Sequence, residues 1–433
     1  MRLTFLAVVV FGAACASSPT PSPSSAAVQQ SPSASSESEE ELVARARGIH
    51  ARAITIDTHD DIPDNWGSPE ADPLTMDRQV NLQRMKDGGL DVAFFAVFVG
   101  QGPRTPEGDS TAKAAALRKF AGIHRMAEQM YPDRIAIAYT PADVVRIVNA
   151  GKLVAAIGIE NGWVIGHDLS LIKTYFDLGA RYMTLAHTSN NDICDSSTDQ
   201  RGPEHHGLSA FGRQVVVEMN RVGMLVDISH VSRECMMQAT ALSTSPVIAS
   251  HSATRALADH PRDMDDEQLL ALKQNGGVMQ TVAFSGYVKV QPAERDSAVA
   301  QLRRDLGLGG RGGRGGGGGG TGGGRGRGGI PDSVRAVYDE RMAAIDARWP
   351  PATVQDFVNH IDHAVKLIGI DHVGISSDFD GGGGVRGWNN AAESFNVTLE
   401  LVRRGYTEDQ IRKLWGGNIL RVWEENRRRS ERA

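Results

Sequence analysis

Residues 53–61 read AITIDTHDD, and residues 153–160 read LVAAIGIE. Both stretches begin as short, largely apolar runs and end on side chains that can bind a metal, His59 and Asp61 in the first and Glu160 in the second. A run this short, without polar alternation, is typical of a parallel strand that is buried on both faces. The pattern therefore predicts a parallel sheet whose strands end on chemically active groups.

The same pattern recurs along the chain and predicts eight strands. They cover residues 53–57, 92–99, 153–159, 182–185, 224–228, 247–250, 278–283 and 373–376. Helix-like stretches lie between them, at residues 111–130, 212–222, 265–273 and 353–367. Eight strands joined by crossovers of this length favour an α/β fold of the (β/α)8 (TIM) barrel type. A doubly wound open sheet is the alternative, but no Gly-rich phosphate turn follows the first strand to support it.

The N-terminal residues predict export. Residues 1–15 show the positive start, apolar run and small residues of a signal peptide, and Cys15 is placed like the lipidated cysteine of bacterial lipoproteins. Residues 16–41 are rich in Ser, Pro, Ala and Glu, which predicts a disordered tether. We therefore expect a protein held to a bacterial membrane by its lipid alone, on the periplasmic or cell-surface side. Ordinary secretion is the alternative.

A second unusual segment lies inside the predicted barrel domain, residues 42–433. Residues 309–329 are almost entirely Gly and Arg and interrupt the link to the last strand, between helix-like residues 294–306 and 332–348. Such a run forms neither a core nor a stable helix, so it predicts a surface loop insertion. It holds four Arg and no aromatic residue, and the net charge of the chain is −6. Nucleic acid is therefore not an expected partner.

The strand ends predict a metal site, because all carboxyl ends of barrel strands meet on the rim where barrel enzymes place their active sites. Imidazole and carboxylate groups together suit zinc, with manganese, iron or cobalt as alternatives. His59 and Asp61 point to the same side of an extended chain and can hold one ion. His230 and His251 can hold a second, with Glu160 bridging the two ions and a hydroxide shared between them. His187 and Asp378 follow two further strands.

Each of these residues also has a simpler interpretation. A single histidine after a strand is more often structural than a ligand, and an aspartate there is often a helix N-cap. Six strand ends with compatible chemistry are harder to explain in that way. The set as a whole, rather than any one residue, predicts the metal site.

Longer stretches resemble the membrane (renal) dipeptidase family, zinc metallopeptidases of the amidohydrolase-like superfamily of metal-dependent hydrolases. The opening stretch DTHDDIP (57–63) resembles the family's first zinc-binding motif. The other similar stretches are GIENG (158–162), YMTLAHT (182–188), DISHVS (227–232), PVIASHS (246–252) and VGISSDFDG (373–381). The resemblance covers residues 51 to 421 and implies hydrolysis of dipeptides, including those with a D-residue on the C-terminal side.

The resemblance also implies roles for residues outside the metal ligands. His187 would contact the substrate and donate a hydrogen bond to the developing oxyanion. Arg262, eleven residues after His251, would bind the terminal carboxylate of the substrate. Asp378 would bind substrate and move a proton from the nucleophile to the leaving amine, with Asp380 as the second candidate for this role.

Other functions stay open at this point. A related amidohydrolase could act on N-acyl amino acids, peptidoglycan fragments or β-lactams, and a binding lipoprotein could keep the fold without turnover. The chain departs from the family in its Gly/Arg insertion and at Ser189, where animal members carry a disulfide cysteine. Pairing of Cys194 with Cys235 cannot be read from the sequence. The oligomeric state is open as well, with a homodimer as one option.

Overall fold

The structure is a computed structural model that describes residues 37–308 and 331–432. The chain divides into a short unit, residues 1–39, and a compact unit, residues 40–433, which holds the barrel. The predicted signal peptide with Cys15 and the Gly/Arg insertion 309–329 lie outside the described residues. So does the tether predicted for residues 16–41 up to residue 36, whereas its residues 39–41 are helical rather than disordered.

The described strands form one parallel sheet. They are β1 (Ile56–Asp61), β2 (Val92–Phe98), β3 (Ile135–Ile137), β4 (Leu153–Glu160), β5 (Ala180–Thr184), β6 (Leu225–Asp227), β7 (Ile248–Ser252), β8 (Val278–Val282) and β9 (Val373–Ser376). Eight of them follow one another in the order β1-β2-β4-β5-β6-β7-β8-β9. The backbone N–H of Asp61 donates to the carbonyl of Phe379 at 2.9 Å, which joins the first strand to the segment after the last. The predicted eight-stranded barrel is confirmed.

The strand β3 was not predicted. It has three residues and pairs with the first half of β4, beside the barrel strands rather than among them. A run of three residues carries too little periodicity to be distinguished from a loop in the sequence.

Helices fill the connections, as the barrel requires. They are α1 (Glu39–Arg52), α2 (Leu82–Gly88), α3 (Pro106–Arg125), α4 (Pro141–Asn149), α5 (Ser170–Asp177), α6 (Ala210–Val222), α7 (Arg233–Leu242), α8 (Asp266–Asn275), α9 (Ser285–Val288), α10 (Ala293–Asp305), α11 (Asp332–Arg348), α12 (Val354–Ile368), α13 (Phe395–Arg403), α14 (Glu408–Arg412) and α15 (Asn418–Ser430). The six predicted helices are present. Of these, α3 begins five residues earlier than predicted, because Thr105 caps it and Pro106 starts it. No described helix has the length and apolar character needed to cross a membrane.

The amino ends of the barrel strands enclose an apolar cluster that we call the barrel floor. It consists of Ile56, Val92, Phe94, Ala138, Val144, Ile147, Val154, Ala156, Tyr182, Leu225, Ile248 and Val278, together with Ile419, Val422 and Trp423 from α15. On β2, Val92 and Phe94 belong to the floor, while the alternate residues Ala93, Phe95 and Val97 pack in the core that includes the surrounding helices. This two-sided burial explains why the strands read as continuous apolar runs.

Candidate metal centre

Six barrel strands bring the seven predicted rim residues together at their carboxyl ends. They are His59 and Asp61 on β1, Glu160 on β4, His187 after β5, His230 after β6, His251 on β7 and Asp378 after β9. Their ligand atoms form three overlapping groups in which all atoms lie within 4.8 Å of one another. These groups are His59, Glu160 and His251; Glu160, His187 and His230; and His59, Asp61 and Asp378.

Glu160 lies at the middle of this cluster. Its Oε1 is 3.0 Å from Nε2 of His230 and 3.4 Å from Nε2 of His251. Its Oε2 faces the other way and is 3.5 Å from Nε2 of His59. A carboxylate with one oxygen toward each set of imidazoles is suited to bridge two ions.

Hydrogen bonds set the orientation of the His59 ring. The hydroxyl of Tyr182 donates to the carbonyl of Thr58 at 3.0 Å, so it must accept the hydrogen bond from Nδ1 of His59 at 2.8 Å. Nδ1 is therefore a donor, and Nε2 is the ring atom that faces Glu160 at 3.5 Å and Asp61 at 3.9 Å. Nε2 is buried and has no hydrogen-bond partner among the described residues.

The ring of His251 is held in the same way. Ser250 donates its hydroxyl to Asp227 at 2.6 Å and contacts Nδ1 of His251 at 2.8 Å, so that Nδ1 is the donor. Nε2 of His251 then offers a lone pair and lies 2.8 Å from Nε2 of His230. Ser250 behind His251 fixes the tautomer of that ring, as partners of metal-binding histidines usually do. The two converging Nε2 atoms fit a shared cation.

The electrostatics of the cluster also fit cations. Burial lowers the pKa of His230 and His251 well below the usual value, so both rings are neutral donors of lone pairs. Burial lowers the pKa of His59 too, but Glu160 and Asp61 outweigh it and raise that pKa to about 10. Burial and the charge of Glu160 raise the pKa of Asp61 to about 6. Crowded buried carboxylates are costly unless positive charge compensates them, so the residues present fit metal ions.

Two glycines make room for this arrangement. A Cβ on Gly381 would lie 2.2 Å from Oδ2 of Asp61 and 2.3 Å from Oδ1 of Asp378. A Cβ on Gly158 would lie 1.9 Å from Cζ of Tyr182, the residue that orients His59. Both glycines belong to the stretches compared with the family above, but the sequence does not reveal which side chains occupy their space.

Asp378 and Asp380 serve different parts of the structure. Both have left-handed backbones, with φ of 58° and 65°, an uncommon and strained conformation for aspartate. Asp380 accepts backbone hydrogen bonds from Gln79 and Val80, each at 3.0 Å, so both of its oxygens are engaged away from the cluster. Asp378 lies inside the cluster, where burial raises its pKa well above the usual value.

Arg262 lies beside the cluster, and the ring of His187 forms one side of it. The Nη2 of Arg262 donates to the backbone carbonyl of His251 at 3.1 Å, and its guanidinium carbon lies 5.2 Å from the centre of the Tyr287 ring. Its Nε and Nη1 are buried without a partner among the described residues. The His187 ring packs on the ring of Phe98, with 4.6 Å between the ring centres. Burial lowers the pKa of His187.

The cluster opens into a cavity of about 350 Å³. Its wall also contains Arg78, Phe98, Lys119 and Tyr287, which were not predicted as site residues from the sequence. Lys119 is buried and donates to the carbonyl of Ile62 at 2.8 Å. A signal for it existed, because on α3 it lies beside Ala116, Phe120 and Ile123 on the buried face.

Comparisons with known proteins agree with this geometry. The sequence profile described as membrane dipeptidase (peptidase family M19) matches residues 43–433. Dipeptidase tcpJ of Claviceps purpurea is 31% identical over 354 residues, which cover 80% of this chain and 69% of that relative. Dipeptidase verJ of Clonostachys rogersoniana is 29% identical over 394 residues, 88% of this chain and 86% of that relative.

Solved structures show the same fold. The probable dipeptidase PvdM from Pseudomonas aeruginosa has a TM-score of 0.75 and 31% identity, and the match covers 90% of this chain and all of PvdM. A metallopeptidase from Rhodobacter sphaeroides, liganded with a phosphinate mimic of L-Ala-D-Ala, has a TM-score of 0.65 and 21% identity. That match covers 86% of this chain and 99% of the other, and it shows a shared fold.

Proposed function

Because the chain belongs to the membrane dipeptidase family (peptidase family M19) and is a peptide-bond hydrolase, we propose that it cleaves dipeptides with the help of two zinc ions. The observation that carries the two-ion proposal is the position of Glu160. Its two oxygens face separate sets of histidine Nε2 atoms at 3.0–3.5 Å. His59 and Asp61 would hold one ion with Glu160, and His230 and His251 the other.

When bound, such an ion pair would lower the pKa of a water so that it can act as the nucleophile near neutral pH, and the ions would polarise the scissile carbonyl. The chain itself must then move the proton. Asp378 is the group suited to do so, since burial raises its pKa well above the usual value and it lies in the group with His59 and Asp61. It would accept the proton from the attacking water and deliver it to the nitrogen of the leaving amine.

Two further residues would position the substrate. His187 is kept neutral by burial and lines the cavity, so its ring N–H can donate to the oxygen of the scissile carbonyl as negative charge develops. Arg262 has two unpartnered N–H donors, which match the two oxygens of a terminal carboxylate. This contact would restrict the enzyme to short substrates with a free C-terminus, including those that end in a D-residue.

The proposal is tested by stripping the protein of metal with a chelator and reloading it with zinc. We expect two zinc ions per chain and cleavage of L-Ala-L-Ala and L-Ala-D-Ala only after reloading. N-acetyl-alanine and a β-lactam serve as the competing substrates. Faster cleavage of either one would favour the amidohydrolase alternative, and full activity of the stripped protein would contradict a metal mechanism.

We also propose that the chain is exported and anchored through lipidated Cys15. The variant Cys15→Ala should then leave the membrane fraction while its turnover of dipeptides stays the same, because Cys15 lies well before the catalytic domain in the sequence. Retention of this variant in the membrane fraction would contradict lipidation at Cys15.

A further inference from the structure

A second cavity, of about 260 Å³, lies beside the metal centre. Its wall comes from the segment after β5, the turn between β6 and α7, and the loop between β7 and α8. His230 lines this cavity and the metal cavity alike. We call it the side chamber. Pockets for whole small ligands usually measure about 300–1,000 Å³, so the side chamber has the size for part of a substrate.

Most charged groups of the side chamber are already paired. Asp195 accepts hydrogen bonds from three backbone N–H groups at 2.8–2.9 Å. Asp199 pairs with Arg201 at 2.6 Å. Arg233 and Arg255 each pair with a neighbouring aspartate at 2.8 Å. These groups hold the wall together and have little capacity left for a ligand.

Besides Nδ1 of His230, which belongs to the metal centre, three lining residues keep buried polar atoms without a hydrogen-bond partner among the described residues. They are Arg262 through Nε and Nη1, Asp263 through both carboxylate oxygens, and Ser197 through its hydroxyl. Asp263 is only 3% exposed and Arg262 only 4%. Buried polar groups normally have partners, and leaving a carboxylate without one is costly. Unpaired donors and acceptors in one chamber therefore point to a ligand that carries both charges.

We infer that the side chamber binds the C-terminal residue of the substrate and selects a cationic side chain there, a lysine-like or arginine-like group that pairs with Asp263. The inference rests on the proposed dipeptidase function. If Arg262 takes the terminal carboxylate, the nitrogen of the same residue belongs to the scissile bond and faces the metal centre. The Asp263 carboxylate is then left for the side chain, and the Ser197 hydroxyl offers a further acceptor.

The charges of this complex balance. The carboxylate of the residue meets Arg262 and its ammonium group meets Asp263, so no charge is buried alone. Burial raises the pKa of Asp263 well above the usual value, although the charge of Arg262 and the backbone of Ala253 counteract this. An entering ammonium group favours the charged carboxylate and draws its pKa down again.

The test compares two substrates of equal length, Ala-Lys and Ala-norleucine, each in the L,L and L,D forms, on the zinc-loaded protein. We expect kcat/KM to be about tenfold higher, or more, for Ala-Lys, as for a charge-assisted hydrogen bond in a buried site. Asp263→Asn keeps the shape and removes the charge, so it should abolish this preference by lowering kcat/KM for Ala-Lys far more than for Ala-norleucine. Glu234→Gln is the matched control, because Glu234 lines the same chamber but is exposed. The control should keep the preference, since water screens an exposed charge.

A second measurement does not depend on turnover. By calorimetry, free lysine should bind the wild-type protein more tightly than norleucine does, and Asp263→Asn should remove the difference. Equal affinities and equal kcat/KM values in the wild type would overturn the inference. So would an Asp263→Asn variant that unfolds at lower temperature and slows both substrates equally. If neither dipeptide is cleaved, the dipeptidase proposal fails, whereas the lysine binding still decides the side chamber.

Discussion

The two ends of the barrel use the same strands for opposite purposes. At the barrel floor, Ile56 of β1, Ile248 of β7 and Trp423 of α15 belong to one apolar cluster, and each is at most 1% exposed. At the rim, the same strands end on buried imidazoles and carboxylates, several of whose polar atoms have no partner among the described residues. Each buried apolar side chain contributes about 1.5–3 kcal/mol to folding, while an unpaired buried polar group costs about 1–3 kcal/mol. The floor therefore stabilises the fold and the rim destabilises it.

The comparison teaches that stability and chemistry can be changed separately in this protein. Tyr182 is the one residue that we find in both regions of the described chain, since its ring packs in the floor and its hydroxyl orients His59. Substitutions at the floor should lower the free energy of unfolding and leave the metal centre intact, whereas substitutions at the rim should lower activity without lowering the free energy of unfolding. The following variants test this separation.

The largest effect is expected at the rim, from Asp378→Asn. Losing the proton-transfer group should lower kcat by about 10²–10⁴-fold. The free energy of unfolding should stay the same or rise, because the substitution removes a buried carboxylate that lies close to other carboxylates. Steady-state kinetics and chemical denaturation measure the two quantities.

Asp380→Asn is the control for this variant. It weakens the interactions with Gln79, Val80 and Arg78, so it should lower stability and leave kcat largely intact. An inactive Asp380→Asn beside an active Asp378→Asn would show that the other carboxylate moves the proton.

At the floor, Trp423→Ala should lower the free energy of unfolding by about 3–5 kcal/mol, because it leaves a large cavity among buried apolar side chains. Zinc content and kcat of the folded protein should not change. Urea unfolding and metal analysis on the same sample measure both. Loss of zinc from the folded variant would break the separation of floor and rim.

Tyr182→Phe probes the residue shared by the two regions. The ring stays in the floor, while His59 loses the acceptor that holds its Nδ1 proton. We expect zinc affinity to fall by about 10–100-fold, as for other partners of ligand histidines. Tyr175→Phe is a matched control, since Tyr175 is buried and donates its hydroxyl to Val164 at 2.8 Å, outside the rim cluster. Equal zinc affinity in the two variants would contradict the role of Tyr182.

The smallest effect is expected from Arg262→Met, measured as a preference between substrates. The wild type should favour a dipeptide over its C-terminal amide by about tenfold or more, and the variant should lose most of that preference. Arg255→Met is the control, because Arg255 lines the side chamber as Arg262 does but is paired with Asp259. If Arg262→Met slows the acid and the amide to the same extent, Arg262 has a structural role only.

The barrel and the rim cluster could be predicted because both depend on local signals. A buried strand shows its apolar run, and the carboxyl ends of parallel strands always share a rim. The distinction between Asp378 and Asp380 could not be predicted in this way. Two residues apart on an extended strand they would share a side, but the left-handed backbone at both positions breaks that alternation.

Other features depend on which strands become neighbours. The space at Gly158 is filled by Tyr182 from the adjacent strand β5, and the space at Gly381 by Asp61 from β1. Asp263 follows Arg262 directly in the sequence, and only the packed loops show it to be buried and unpaired. These contacts link distant parts of the sequence, so no local pattern predicts them.

The joining of the first and last strands has a consequence for how the protein matures. The backbone N–H of Ser377 donates to Asp57 across 320 residues of sequence, and the rim cluster draws on both of these strands. During synthesis His59 and Asp61 emerge among the first residues of the domain, whereas Asp378 emerges near its end. A growing chain therefore contains some of the metal-binding residues before the complete site can form. We expect tight metal uptake to be a late event that marks a completed barrel, and a chain that ends before β9 to release its ions readily.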